Sequence, residues 1–398
     1  MIFEPELETM PREELERLQL KRLGLESLDD LRLLPFTRKD DLREAYPLGR
    51  IAVPRDRLRR ISASSGTTGK PTVVAYTDAD LDVFARVVAR VLAAAGAEPG
   101  MTLHNAYGYG LFTGGLGFHD GGGRLGLAVV PVSGGMTERQ LTLIQDLLPD
   151  VLACTPSYAL TLAQAFAERG VSPGEISLRI AMLGAEPWTE AMRGEIDAGL
   201  GLRAVNVYGL SEIIGPGVAG ECAEERAGLH VNEDHFLPEI VDPESGEPVA
   251  DGEPGVLVLT TLTKEALPLV RFWTGDITSL DRSPCSCGRT FVRMSAPAGR
   301  ADDMLIIRGV NVYPSQVEGI LLGLPELSPN YRLVIERPRT LDEATVEIEA
   351  VEASAGLQAR AERLLLETIG CAISVQLMPA GSVPRSEGGK LQRVEDRR

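Results

Sequence analysis

The sequence predicts an α/β protein: a large N-terminal domain with a mainly parallel sheet plus an antiparallel β subdomain, and a small C-terminal α+β domain. Three observations predict it. Helical and strand patterns alternate from about residue 78 to 210, which argues for a largely parallel sheet. After residue 236 the pattern becomes short strands joined by Pro, Gly and Asp turns, as in "FLPEIVDPESGEPVADGEPGVLVLTTL", which reads as antiparallel pairing. Near Arg300 the texture shifts again, and about a hundred residues remain, an ordinary domain size. The expected division is 1–301 and 302–398.

The elements follow in order. Thr77 and Asp80 fit a capping box, and "LDVFARVVARVLAAAG" carries apolar residues at helical spacing. "MTLHNAY" and "LGLAVVPVS" read as strands, "TERQLTLIQDLL" as a helix, "VLACTPS" as a strand and "YALTLAQAFAERG" as a helix ending at Gly170. "LRIAMLGAE", a helix from Thr189, and "RAVNVYG" complete the run. The loops "LGAEP" and "YGLSE" then lie at carboxyl ends of strands, where such sheets bind ligands. In the last hundred residues the order is a strand (304–308), a helix (315–322), two strands ("YRLVIERP", "TVEIEAVE"), a helix ("LQARAERLLLETIG") and a strand ("SVQLMPAG").

Composition excludes several classes. Acidic residues outnumber basic ones by 57 to 40, a net charge of −17, which repels nucleic acid and anionic membranes. An anionic ligand must therefore be held by local groups. No apolar run reaches the roughly 18 residues of a membrane span. The N-terminus is acidic and amphipathic, without the basic and apolar regions of a secretory signal. Five cysteines in 398 residues do not make a disulfide scaffold. The expectation is a cytoplasmic protein with no nucleic-acid or membrane partner.

Ser64 to Lys70, "SSGTTGK", packs hydroxyls, glycines and a lysine into one loop. It is not a nucleotide-hydrolase P-loop. Gly66 and Gly69 are too close, Pro71 stands where that motif needs a hydroxyl, and "TVVAY" favours a strand rather than a helix. Freed backbone N–H groups, four hydroxyls and a lysine still suit a flap over a polyphosphate. Gly108 to Gly123, "GYGLFTGGLGFHDGGG", is open to two readings, a flexible loop or a close-packed wall beside a ligand. The interleaved Tyr109, Leu111, Phe112, Leu116 and Phe118 favour the wall.

"SSGTTGKP" resembles the signature loop of the adenylate-forming enzymes, the group of acyl-CoA synthetases, adenylation domains and luciferases. "YGLSE" (208–212), "TGD" (274–276), "GRADDMLIIRGVNVYPSQVE" (299–318) and "PRSEGGKLQRV" (384–394) resemble further motifs of that group, in its order. Within it, "LLPFTRKDDLREAYP", "GYGLFTGGLGFH" and "MLIIRGVNVYPSQVE" are most similar to phenylacetate–CoA ligases.

The resemblance implies ATP-dependent conversion of an aryl carboxylic acid to an acyl-adenylate, then thioesterification to coenzyme A, with Mg²⁺ and a mobile C-terminal domain. It implies that Lys390 bridges the carboxylate and the α-phosphate, that Glu212 coordinates Mg²⁺, and that Thr67 also serves catalysis. Ser64, Ser65, Gly66, Thr68, Gly69 and Lys70 would hold phosphates. Gly184, Ala185, Glu186 and Pro187, with Asn206, Val207, Tyr208, Gly209 and Ser211, would surround the nucleotide. Asp276 would bind the ribose hydroxyls, with Arg300 nearby, although Asp276 also fits a turn and Tyr208 a buried strand end. Asp302 resembles the hinge residue, and Gly309 and Tyr313 would line the coenzyme A tunnel. The acyl pocket would use Tyr109, Phe112, Gly114, Gly115 and Gly117, with core packing the alternative for the two aromatics.

Cys222, His230, Cys285 and Cys287 make a closed tetrahedral zinc set in kind, but C-x-C is not the usual pair spacing, and unligated thiols stay open. Similarity to phenylacetate–CoA ligases implies a structural Zn²⁺ there, with His235 the rival fourth ligand. Cys154 and Cys371 sit in apolar contexts and read as buried thiols.

Three departures stand out. A segment between "LERLQLKRL" and "LESLDDL" is absent, which bears on the acyl site and on a homodimer contact. Trp273 replaces a commonly basic residue, and His119-Asp120 differ from the usual text. These point to an aryl acid other than phenylacetate. The alternative function is a stand-alone enzyme loading an aryl group onto a carrier-protein thiol. A nucleotide-sensing scaffold is a third reading, disfavoured because Lys390, Glu212 and Asp276 are all present.

Overall fold

The computed structural model describes residues 5–64, 71–301, 305–308, 310–338, 341–385 and 393–398. The chain opens on helices α1 (Pro5–Glu8), α2 (Arg12–Leu23), α3 (Leu28–Arg32) and α4 (Lys39–Glu44). Leu31 of α3 buries against Leu237 and Leu262, which fastens this segment to the body. A hairpin of β1 (Arg60–Ala63) and β2 (Val73–Tyr76) leads into α5 (Asp78–Ala94). The capping box is as expected. The Thr77 hydroxyl accepts from the Asp80 N–H, and the Asp80 carboxylate accepts from the Thr77 N–H.

Alternation then runs as the sequence predicts: β3 (Thr102–Asn105), α6 (Thr113–Leu125), β4 (Ala128–Val130), α7 (Thr137–Leu147), β5 (Val151–Cys154), α8 (Pro156–Glu168), β6 (Ile180–Gly184), α9 (Glu190–Leu200) and β7 (Arg203–Leu210). Next come β8 (Gly215–Gly220), β9 (Leu229–Val231), β10 (Phe236–Val241), β11 (Gly255–Thr261), β12 (Phe272–Thr278), β13 (Leu280–Asp281), β14 (Arg293–Met294) and β15 (Gly299–Arg300). Among the described residues one sheet has nine strands in the order β13-β14-β9-β8-β7-β6-β5-β3-β4. From β7 to β4 it is parallel, and its other strands add antiparallel. The antiparallel subdomain is β10-β11-β12-β15.

The C-terminal part comprises β16 (Leu305–Ile307), β17 (Val310–Val312), α10 (Pro314–Leu321), β18 (Leu327–Glu336), β19 (Glu343–Ala350), α11 (Ala355–Ile369), β20 (Ser374–Met378) and β21 (Val394–Asp396). Its sheet is ordered β20-β19-β18-β21. It has a core of its own, from Ile307 to Val375. Cys154 and Cys371 are buried in cores, as expected.

The glycine-rich stretch is helical rather than a loop for most of its length. Thr113–Leu125 is helix α6. Its glycines let it press onto α5. A Cβ on Gly117 would lie 2.6 Å from the Phe84 ring, and one on Gly121 would lie 2.4 Å from Val88 Cγ1. Close packing outweighs the roughly 1 kcal/mol that each helical glycine costs relative to alanine.

Candidate functional site

The site gathers at the carboxyl ends of the parallel strands, where the sheet's direction changes at β7–β8. The turn after β7 carries Ser211 and Glu212. Ser211 Oγ lies 3.1 Å from Thr113 Oγ1 at the start of α6. Glu212 is 4% exposed, and its carboxylate pairs with Lys39 Nζ of α4 at 3.1 Å. Its carbonyl accepts a hydrogen bond from Lys264 Nζ at 2.9 Å. Sequence reasoning missed both lysines. Lys39 does stand inside the quoted stretch "PFTRKDDL", and Lys264 precedes the "TGD" motif by ten residues.

Tyr208, Asp276 and Arg300 come together. Tyr208 Oη donates to Asp276 Oδ2 at 2.5 Å, and Arg300 Nη1 lies 3.6 Å from Oδ1. Pairing of β12 with β15 sets Asp276 directly opposite Arg300. Burial first, and then the Asp276 charge, push the Tyr208 phenol well above its ordinary value, so it remains a donor. Tyr208 is thus a strand-end residue whose phenol reaches the expected ribose-binding carboxylate.

The expected phosphate loop is framed by described residues but not itself among them. Ser65, Gly66, Thr67, Thr68, Gly69 and Lys70 lie outside the described residues. Ser64 N–H donates to the Thr72 carbonyl at 2.9 Å, closing the frame. Among the described residues the buried hydroxyls of Ser64 and Thr72 have no hydrogen-bond partner. Ala63 N–H donates to the Leu111 carbonyl, which ties the hairpin to the turn before α6. Lys390, Asp302 and Gly309 also lie outside the described residues, while Tyr313 caps the start of α10.

Two expected nucleotide neighbours also make contacts within the fold. Glu186 accepts from the Ser157 N–H at 2.6 Å, in the first turn of α8, where a carboxylate is favoured. The Asn206 N–H donates to Glu221, which Arg193 grips with two bonds of 2.9 Å. In "LGAEP" the backbone is the distinctive feature. Ala185 adopts φ 74, and a side chain on Gly184 would meet the Val207 carbonyl at 2.1 Å.

On the acyl side, Tyr109 Oη accepts from Asn105 Nδ2 at 2.9 Å and lies 3.3 Å from His119 Nδ1. Burial raises its phenol to about 12. Phe112 precedes α6 and is half exposed. Gly115 and Gly117 do not face an open pocket. Their Cβ directions end on the Gly108 carbonyl and on Phe84, so packing accounts for them, while Gly114 faces Tyr107. Trp273 stacks edge-on with Phe36 at 5.0 Å and lies under Arg38 at 4.5 Å, so this departure serves the N-terminal segment. Asp120 pairs with Arg60 at 2.7 Å.

Cys222, His230, Cys285 and Cys287 present ligand atoms that all lie within 4.8 Å of one another. Register brings them there: His230 on β9 pairs with Arg293 on β14, beside the 285–291 turn. His230 Nδ1 is 3.2 Å from the Phe291 carbonyl, which leaves Nε2 toward the three sulfurs. His235 is not a fourth ligand, for its ring meets Thr263 and Asp234 instead. Among the described residues no helix is long and apolar enough to cross a membrane.

A buried carboxylate turn beside an Asp–Tyr–Arg group, at the carboxyl ends of parallel strands, is the arrangement of an α/β enzyme site. The chain belongs to the AMP-binding enzyme family, whose profile matches residues 14–262, with the AMP-binding enzyme C-terminal domain matching 309–398. It is 57% identical to a phenylacetate-coenzyme A ligase of Thermus thermophilus over 444 residues, covering 100% of both chains. A 2-hydroxyisobutyryl-CoA ligase in its postadenylation state, with R3-HIB-AMP bound, superposes with a TM-score of 0.89 at 26% identity, over 99% of this chain and 92% of that one. The same ligase in its thioesterification state, with 2-HIB-AMP and CoA, superposes at 0.73 and 27% identity, over 98% and 91%.

Proposed function

We propose that this chain is an AMP-forming aryl acid–coenzyme A ligase. The carrying observation is the Tyr208–Asp276–Arg300 group set beside the Ser211–Glu212 turn in a chain similar throughout to phenylacetate–CoA ligases. A carboxylate oxygen of the acid attacks the α-phosphorus of ATP, and the bond to pyrophosphate breaks. The coenzyme A sulfur, its proton lost, then attacks the acyl carbon, and AMP leaves. Both steps put charge on phosphate oxygens, so the protein contributes positioning and fixed charge.

Asp276 accepts the ribose hydroxyls, and Arg300 and Tyr208 hold its carboxylate still. Glu212 fits Mg²⁺. It is a buried hard-oxygen donor whose present partner is already a cation, Lys39. Bound there, the metal neutralises phosphate charge. Lys390 reaches the reacting oxygens in the first step. The domain boundary falls between Ala301 and Asp302, with Asp302 the hinge. The three sulfurs and His230 hold a structural Zn²⁺, because the donor set is closed and soft and the second ring nitrogen of His230 meets a carbonyl.

The acid is aryl, with phenylacetate the reference compound. Tyr109 and His119 give that wall a polar tip, which suits a ring bearing a hydrogen-bonding group. The test is a panel of aryl acids with ATP, Mg²⁺ and coenzyme A, read by AMP release and thioester mass. No AMP from any acid overturns the proposal. Lys390→Ala is expected to abolish pyrophosphate exchange while ATP binding survives.

A further inference from the structure

Lys264 belongs to none of the motifs read from the sequence, yet it is 7% exposed and its ammonium ends on the turn that carries Glu212. Nζ donates to the Glu212 carbonyl at 2.9 Å and to the Ile213 carbonyl at 2.6 Å. The next carbonyl, of Ile214, accepts from Tyr76 Oη at 2.9 Å. Three successive carbonyls are thus capped by two buried side chains. The N–H groups of Ile213 and Ile214 both donate to the Leu210 carbonyl, so the turn resembles a helix end whose outgoing carbonyls need partners. Buried side chains supply those partners here.

The root of Lys264 is equally fixed. The N–H groups of Glu265 and Ala266 donate to the Asp80 carboxylate at 2.7 and 2.9 Å, and Asp80 is the fully buried capping-box partner in the first turn of α5. Burial pushes the Lys264 ammonium down to about 8, while the Asp80 and Glu212 charges act to keep it protonated. Tyr76 sits on β2, the outgoing strand of the hairpin that frames residues 65–70, and its ring lies 5.1 Å from Lys264 Nζ. One ammonium and one phenol therefore join the metal-ligand turn to α5 and to the phosphate-loop hairpin.

We propose that Lys264 is a positioning residue for Glu212: it sets the 212–214 backbone so that the carboxylate meets the Mg²⁺ of bound ATP, with Tyr76 aligning the same turn on the hairpin. This rests on the reading of Glu212 as the metal ligand. A methionine at 264 fills the space but leaves two carbonyls unanswered, and the turn must shift to find other donors. Losing a partner that orients a metal ligand costs about ten- to a hundredfold in metal affinity or activity.

The experiment titrates Mg²⁺ in ATP–pyrophosphate exchange for the full chain and for Lys264→Met, Tyr76→Phe and Glu212→Gln, with each melting midpoint recorded. Lys264→Met is expected to raise half-saturating Mg²⁺ about tenfold, with the rate recovering at high Mg²⁺, and Tyr76→Phe to raise it about threefold. A purely structural lysine lowers the melting midpoint and leaves half-saturation unchanged, and that result overturns the proposal. If Lys264→Met does not fold, Tyr76→Phe decides by the same criterion. If Glu212→Gln leaves the metal dependence unchanged, the Mg²⁺ reading of Glu212 falls and the proposal with it. If Glu212→Gln shifts it and neither other variant does, only the positioning role falls.

Discussion

Replacing Gly121 and Gly123 by alanine, one at a time, has opposite expected effects although both lie on α6. At Gly121 the new Cβ would sit 2.4 Å from Val88 Cγ1, 2.5 Å from Val88 Cβ and 3.1 Å from the Ala89 nitrogen. Ordinary carbon contacts are about 3.5–4.0 Å. Turning the valine rotamer gives no relief, because Val88 Cβ itself is in the way and its position follows from the α5 backbone. The two helices must part by about 1 Å, and overpacking of this kind costs about 1–3 kcal/mol. The gain in helix propensity returns at most about 1 kcal/mol, so the net loss is about 1–2 kcal/mol. At Gly123 nothing lies within 4 Å and the position is exposed. Alanine there gains about 0.5–1 kcal/mol. The assay is the urea or thermal midpoint, together with pyrophosphate exchange. Exchange should fall in Gly121→Ala, because α6 begins at Thr113, which touches Ser211. A midpoint for Gly121→Ala equal to or above that of Gly123→Ala would refute the packing of α6 on α5.

Lys39→Gln removes a cation that competes for Glu212, and a part-exposed pair worth up to about 1 kcal/mol predicts up to about a fivefold fall in half-saturating Mg²⁺. A rise instead would show that Lys39 assists the metal. Elemental analysis should find about one zinc per chain, and Cys287→Ser should lose it. The turn beyond Cys287 holds the N-terminus, through Arg289 Nε to Glu8 Oε2 at 2.5 Å and Thr290 N–H to the Glu8 carbonyl at 2.8 Å. Trypsin should therefore cut α2 faster in that variant, and equal cutting would separate the metal from N-terminal docking. Burial pushes the His235 imidazole down to about 4, against about 6.5 in an unfolded chain. Between those values the unfolded chain binds more protons, so stability is lost as pH falls from about 6.5 through 4, by on the order of 3 kcal/mol. His235→Gln should flatten that part of the stability–pH curve, and an unchanged slope would place the titration elsewhere.

Local signals were legible and long-range ones were not. The capping box at Thr77 and Asp80 is written within four residues, and the alternation of β3 through β7 repeats often enough to read. Helix α6 contradicts its own propensities, since glycine is a poor helix former and only contact with α5 repays it. A signal was present: Gly117 and Gly121 are four apart, which puts them on one helix face. Lys264 carries no local pattern, and Lys39, though inside a quoted stretch, carries none that names its partner. Each acts on residues far along the chain, so only the folded backbone reveals them. The set Cys222, His230, Cys285 and Cys287 was named from residue type and resemblance, and the pairing of β9 with β14 shows why His230 joins it rather than its rival His235.

The two superpositions on one ligase also bear on how the chemistry is run. They cover nearly the same share of this chain, 99% and 98%, yet the TM-score falls from 0.89 to 0.73 between the postadenylation and thioesterification states. With coverage unchanged, the fall measures arrangement rather than fold. The C-terminal core contains only residues from Ile307 onward, so a turn of that unit breaks no core shared with the parallel sheet. The span that includes Lys390 is tied to the same unit at both ends. Arg385 grips Glu349 of β19 with two bonds of 2.8 Å. Arg393 donates to the Pro329 carbonyl at 2.8 Å, and its own carbonyl accepts from the Leu333 N–H of β18. Buried or half-buried arginine–carboxylate forks of this kind resist separation. Residues 385 and 393, on either side of that span, are therefore both anchored to the C-terminal sheet.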